Sequence, residues 1–207
     1  MVHRIPLGHR AHRQPSDPDG GGPVTLAPTP GQTVGPFFHY ALPFDGGAEL
    51  VPAGHPDRIR LHGTVFDGAG DPVPDALIEI WQADGAGNVS QEPGSLRRDG
   101  FTFTGFGRVQ TDRTGHYTFA TVAPGPVSAG GAPFFAVCVF ARGLLDRLFT
   151  RAYLPDSARA LASDTLLTSV SEERRSTLIA TADDNGYRFD IHLQGAGETV
   201  FLDHGGR

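Results

Sequence analysis

Few side chains in this sequence stand at spacings that carry out chemistry. No Gly-x-Ser-x-Gly turn exposes a serine, no glycine-rich loop leads into a helix to cradle phosphate, and neither Cys-x-x-Cys nor His-Glu-x-x-His occurs. Acyl transfer, nucleotide binding and the common zinc chemistries thereby lack their usual carriers. His9 and His12 are spaced as a metal pair, but no third ligand accompanies them in a stretch rich in Arg and Pro, which reads as a solvated tail. Cys138 lies inside the apolar run Phe134 to Phe140, where a thiol has no adjacent cation to lower its pKa, so it reads as core. Asp183-Asp184-Asn185-Gly186 lacks the alternating ligands and downstream glutamate of a calcium loop and reads as a turn before a strand. Arg188, Asp190 and His192 share one strand face, either as an acid–base group or, better supported, as a polar network. Glu79, between Ile78 and Ile80, is expected to be partly buried and paired with an arginine.

Composition narrows the partners. The 207 residues include 28 glycines, 17 prolines and 14 phenylalanines, so many turns must separate short aromatic-rich strands. All 17 basic residues are arginine, and 23 acidic ones leave a net charge of −6. No basic field exists to hold nucleic acid or anionic lipid. One cysteine makes no internal disulfide, and the polar, His/Arg-rich start has no apolar signal-like run, so a soluble, cytoplasmic protein is expected.

The elements that must position any site follow from periodicity. Residues 1–24 mix His, Arg and Pro with Gly20-Gly21-Gly22 and predict a flexible extension ahead of a β-sandwich domain over 25–207. The stretch from about 25 to 58, with Thr29-Pro30-Gly31-Gln32-Thr33-Val34-Gly35-Pro36 followed by Phe37-Phe38-His39-Tyr40, predicts an irregular arm that contacts a partner. Period-2 alternation predicts strands over 59–66, 76–81, 116–122, 148–153 and 187–193, with closure near 199–202. Pro133 to Ala141, apolar on both faces, predicts a central strand. A loop is expected over 84–105, and one helix over 171–180 with Ser171 as its cap. The fold class is all-β, a sandwich with few short helices.

One string is recognisable. Gly63-x-Val65-x-Asp67-x-x-Gly70-x-Pro72-Val73-Pro74-x-Ala76-x-Ile78-Glu79-Ile80-Trp81-Gln82-Ala83 resembles the intradiol ring-cleavage dioxygenases. Thr29-Pro30-x-Gln32-Thr33-x-Gly35-Pro36, Pro124-Gly125, Phe140-Ala141-Arg142-Gly143 and Tyr187-Arg188-Phe189-Asp190-Ile191 with Gly195-x-Gly197-Glu198-Thr199-x-Phe201 agree with it. The last two segments are similar to the α-type chains of the two-chain members that cleave protocatechuate.

That resemblance implies Fe(III) chemistry: two tyrosinates and a His-x-His hold the metal, phenolate stabilising the ferric state. Aligned on the quoted motifs, the tyrosine positions fall at Val89 and Val127 and the His-x-His at Phe134 and Ala136, none of which has a donor atom. The resemblance therefore implies that this chain keeps the fold, has no catalytic or metal-binding residue of its own, and pairs with a β subunit that carries the Fe(III). It implies cleavage of 3,4-dihydroxybenzoate by O₂ to 3-carboxy-cis,cis-muconate, with Thr33, Gly35, Pro36 and Arg142 lining the partner's substrate cavity within a higher-order αβ oligomer. Two bland readings stand beside it. The Gly35 loop could be an interface turn and Arg142 an ion-pair residue, and the chain could be a non-catalytic transthyretin-like binding module.

Overall fold

Strands form where alternation places one apolar set inward. In the computed structural model, which describes residues 4–6 (backbone), 35, 37–92, 96 and 98–203, two sheets face each other. The first contains, in chain order, β1 (Arg4–Pro6), β3 (Leu77–Trp81), β4 (Phe106–Gln110), β6 (Phe134–Phe140), β7 (Leu148–Tyr153) and β11 (Phe201–Asp203). Their lateral order is β1-β11-β7-β6-β3-β4. The second is built around β2 (Ile59–Phe66), which pairs antiparallel with β5 (His116–Thr121) and parallel with β9 (Gly186–Arg188) and β10 (Ile191–His192); β8 (Thr181–Asp183) lies beyond β9. Among the described residues no helix is long and apolar enough to cross a membrane.

The inner faces make the main core. Ile78, Ile80, Phe135, Val137 and Val139 from one sheet meet Leu61, Val65, Phe119 and Ile191 from the other, all buried. Each fully buried aliphatic or aromatic side chain contributes roughly 1.5–3 kcal/mol. β6 lies between β3 and β7, and of its outward side chains Cys138 is buried and Phe140 is covered by Phe38, while Phe134 and Ala136 stay partly accessible. That outer face splits into two territories. Over β7 and β11, α3 (Thr165–Ser169) and a 3₁₀ turn (Ser176–Leu178) bury Leu166, Leu167 and Leu178 with Tyr153 and Leu202. Over β3 and β4 lies the arm, whose short helix α1 (Phe38–Ala41) buries Phe38.

Several details depart from the periodicity. The strand expected over 187–193 is interrupted at Phe189-Asp190. There the Phe189 carbonyl accepts from the buried Tyr117 hydroxyl at 2.5 Å, and the Asp190 carboxylate takes the Thr64 N–H at 3.0 Å. Gly63 permits this, since a Cβ there would stand 2.0 Å from the Phe189 oxygen. The helix expected over 171–180 is a single turn, α4 (Glu172–Arg175), running on into the 3₁₀ turn, and the Ser171 side chain makes no cap bond. Three short helices were not foreseen, α1 within the arm, α2 (Ala158–Ser163) and α3, the last capped by Asp164, which accepts from Leu166 N–H and Leu167 N–H at 2.9 and 3.0 Å. In the N-terminal extension, Arg4–Pro6 pair in parallel with Phe201–Asp203; the rest of 1–24, including His9 and His12, lies outside the described residues.

Candidate functional site

The arm is anchored residue by residue. Phe38 stacks on Phe140 with ring centroids 6.3 Å apart. The Arg108 guanidinium donates to Glu79 Oε1 at 2.7 Å and to the Leu42 carbonyl at 2.7 Å, and lies against the rings of Phe44 and Phe106. The partly buried Glu79 thus has the arginine partner expected of it. Further on, Arg108 N–H donates to the Gly47 carbonyl at 2.9 Å, while Leu50 N–H donates to the Ala120 carbonyl and Ala120 N–H to the Ala48 carbonyl, both at 2.8 Å. Residues 47–50 therefore join the edge strand of each sheet. The exposed aromatics sit just upstream: Phe37 is 71% and Tyr40 77% accessible.

Gly35 stands three residues before Phe38, and Arg142 two after Phe140, so the Phe38–Phe140 stack brings both to one end of β6. Gly35 has φ +79°, and none of the described residues lies within 4 Å of the Cβ that a larger residue would add there. The backbone needs glycine's conformational freedom, while the space beside it is open. Arg142 is 62% exposed at its side chain and forms an ion pair with the buried carboxylate of Asp75, just ahead of β3. Thr33 and Pro36 lie outside the described residues.

The four positions where the resemblance places iron ligands gather at the opposite end. Ala136 pairs across to Trp81 at the carboxyl end of β3, and Phe134 lies two residues beyond, towards the loops that follow β3 and β5. Those loops interlock: Gly125 N–H donates to the Asp84 carbonyl at 2.7 Å, and a Cβ on Gly87 would meet the Pro126 oxygen at 2.2 Å. They present Val89 and Val127, both more than half exposed. Hydrocarbon side chains have no lone pair for iron, so these residues do not fit the metal. On the same face a permanent cation is present instead, the Arg151 guanidinium, 4.0 Å from the centre of the Phe134 ring. Among the described residues no group of three or more His, Cys, Asp or Glu could hold a metal ion.

Elsewhere the polar groups are structural. Arg188 donates to Asp190 Oδ2 at 2.5 Å, the network expected on that face. Asp183 Oδ1 accepts from Asn185 N–H at 2.8 Å, closing the expected turn, and its other oxygen lies 2.7 Å from His62 Nε2; these bonds hold its carboxyl below the usual range. The His62–Asp183 contact was invisible in the sequence because 121 residues separate the partners. Burial pushes the Cys138 thiol up to about 12, as befits a packing residue. A broad cleft of 1160 Å³ opens between Leu50, His55, Arg58, Asp84, Phe101 and Phe103.

The architecture has known counterparts. The pattern of the family described as Dioxygenase matches residues 34–143. The chain is 43% identical to the protocatechuate 3,4-dioxygenase alpha chain of Burkholderia cepacia, over 87% of this chain and 99% of that one. It is 33% identical to the beta chain from the same organism, over 81% and 76%. A solved dioxygenase domain from Streptomyces sp. SirexAA-E superposes with a TM-score of 0.54 at 27% identity, covering 82% of this chain and all of that one.

Proposed function

This chain belongs to the dioxygenase family, as an α-type chain of an intradiol enzyme, and we propose that it is the iron-free half of a two-chain protocatechuate 3,4-dioxygenase. The family is iron-dependent. The observation that carries the assignment is the set Val89, Val127, Phe134 and Ala136: the sandwich around them is kept and every donor is gone. In this reading a β subunit, itself a homologue of this chain, carries the Fe(III) and binds 3,4-dihydroxybenzoate through its two hydroxyls. Both atoms of O₂ enter between the hydroxylated carbons, giving 3-carboxy-cis,cis-muconate.

The work of this chain is done by the arm end. Open space at Gly35 lets backbone approach a flat substrate in the partner's cavity, and Thr33 and Pro36 continue that wall. Asp75 holds the Arg142 guanidinium through Nη2, and the remaining N–H donors are left to meet the substrate carboxylate. Phe37 and Tyr40, too exposed to serve this chain's own core, pack against β.

Co-expression with the β subunit, oxygen-uptake assay of ring cleavage and metal analysis of each separated chain test the reading. Activity should need both chains, with iron accompanying β alone. Stoichiometric iron in this chain by itself would overturn the assignment. A soluble monomer that never takes up β would favour the binding-module reading.

A further inference from the structure

The strand expected over 187–193 is broken at Phe189-Asp190, and the break borders a recess of 260 Å³ at the seam where the 3₁₀ turn (Ser176–Leu178) meets β8, β9 and β10. Four of its lining side chains come from four separate segments: Thr181 on β8, Arg188 on β9, His192 on β10 and Thr199 ahead of β11. Thr181 and Arg188 stand directly opposite each other in the β8–β9 pair. His192 and Thr199 are tied together, the His192 N–H donating to the Thr199 hydroxyl oxygen at 3.0 Å and the Thr199 N–H to the His192 carbonyl at 2.9 Å.

The hydrogen bonds within this group are structural, and they leave donors over. Arg188 gives its Nε proton and one Nη2 proton to Asp190 Oδ2, at 2.9 and 2.5 Å, so the rest of its five-donor fork meets no acceptor among the described residues. Both Asp190 oxygens are engaged, since Oδ1 accepts the Thr64 N–H at 3.0 Å. The Thr199 hydroxyl accepts from His192, yet its own proton finds no acceptor among the described residues although Thr199 is only 1% exposed. A buried donor left without an acceptor is costly, so this one is set to receive a guest oxygen. Thr181 adds an exposed hydroxyl, and the His192 ring, stacked on Phe66 with centroids 4.9 Å apart, adds the N–H of its neutral form. The recess has a surplus of donors over acceptors.

We propose that this recess binds a small tetrahedral oxyanion of the phosphate type, held by Arg188, Thr181, Thr199 and His192. Donors arriving from four segments suit an anion with oxygens on every side, whereas a planar carboxylate would fill only the guanidinium fork. A neutral polar guest would need acceptors from the protein as well, and those of Asp190 are already taken. The proposal does not rest on the subunit reading, because anion binding is measured without turnover.

The full chain co-expressed with its partner, dialysed to equilibrium against radiolabelled inorganic phosphate at fixed ionic strength, tests this. Binding should be saturable, and R188Q should weaken it about tenfold or more, as expected for loss of a charge-assisted bond. R188K should recover part of that loss. T181V removes an exposed hydroxyl that bonds to no other described residue, so binding should weaken while the melting temperature holds. Sulfate should compete, and chloride at equal ionic strength should not. Methyl phosphate binding as well as inorganic phosphate assigns the recess to the head group of a small monoester, and weaker binding assigns it to the free ion. If R188Q fails to fold without its Asp190 clasp, T181V and H192F decide the matter. No saturable binding, binding unaltered in the folded variants, or equal competition by chloride would each overturn the proposal.

Discussion

At one end of β6 the outward side chains gather under an arm, and Phe140 carries Phe38 on its face. At the other end Phe134 and Ala136 carry no arm, and the Arg151 guanidinium lies 4.0 Å from the centre of the Phe134 ring. The two ends belong to one strand of seven residues and share the same apolar inner core. What separates them is their loops. A strand core holds its geometry through inward packing, so outward side chains at either end can change without disturbing the fold. Donor-free side chains at one end are thus compatible with an arm held in place at the other.

The contrast can be broken most severely at the arm. Phe38→Ala removes the ring that fixes the arm to β6 and should reduce stability by about 3 kcal/mol. Limited proteolysis should then cut within residues 37–47 first. Unaltered proteolysis would show that Arg108 and the 47–50 pairing hold the arm unaided. Gly35→Phe should lower turnover of the complex about a hundredfold, because a misplaced or blocked substrate loses its reactive geometry. Assembly and iron content are measured alongside, because φ +79° strains any side chain at this position even though none of the described residues lies within 4 Å of its Cβ. A complex of normal activity would detach Gly35 from the cavity.

Arg142→Ala sharpens the comparison more gently. A charge-assisted bond contributes roughly 1.5–3 kcal/mol, so binding of protocatechuate should weaken about tenfold more than binding of catechol, which has no carboxylate. Equal losses for both ligands would assign Arg142 to its ion pair with Asp75 alone.

The smallest effect belongs to the far end. Burial pushes the Tyr153 hydroxyl up to about 12, above the usual 10 of a phenol. The folded state therefore prefers the neutral form. That stabilisation is complete below pH 10 and is lost as pH rises towards 12. Denaturation curves at pH 9 and pH 11.5 should show a smaller alkaline loss for Tyr153→Phe than for the parent. Tyr187, also raised to about 12, sustains part of the loss in both.

Much of this architecture was legible from period-2 alternation, because inward burial dictates it: β2, β5, β6 and β7 lie where the pattern set them. β4 was missed because Gly107 and Arg108 interrupt its apolar alternation; the arginine belongs there to pair with Glu79 and hold the arm. α3 carried a readable signal in Asp164 ahead of Thr165-Leu166-Leu167, overlooked beside the stronger Ser171 pattern. Arg151 carried none. Its place over Phe134 depends on lying opposite Ala136, a register that joins residues 15 positions apart and exists only once the sheet is paired. The expected tail over 1–24 rests on its composition, and the roles of Thr33, Gly35, Pro36 and Arg142 rest on the resemblance.

The interlocked loops after β3 and β5 bear on what holds that end of the sandwich together. A metal bound between loops cross-links them, and its binding energy becomes part of folding. Here Gly87 and Gly125 let backbone lie directly on backbone, and the Gly125 to Asp84 bond ties the two loops together. In the proposed iron-free reading, backbone contacts between these loops take the place of a metal cross-link.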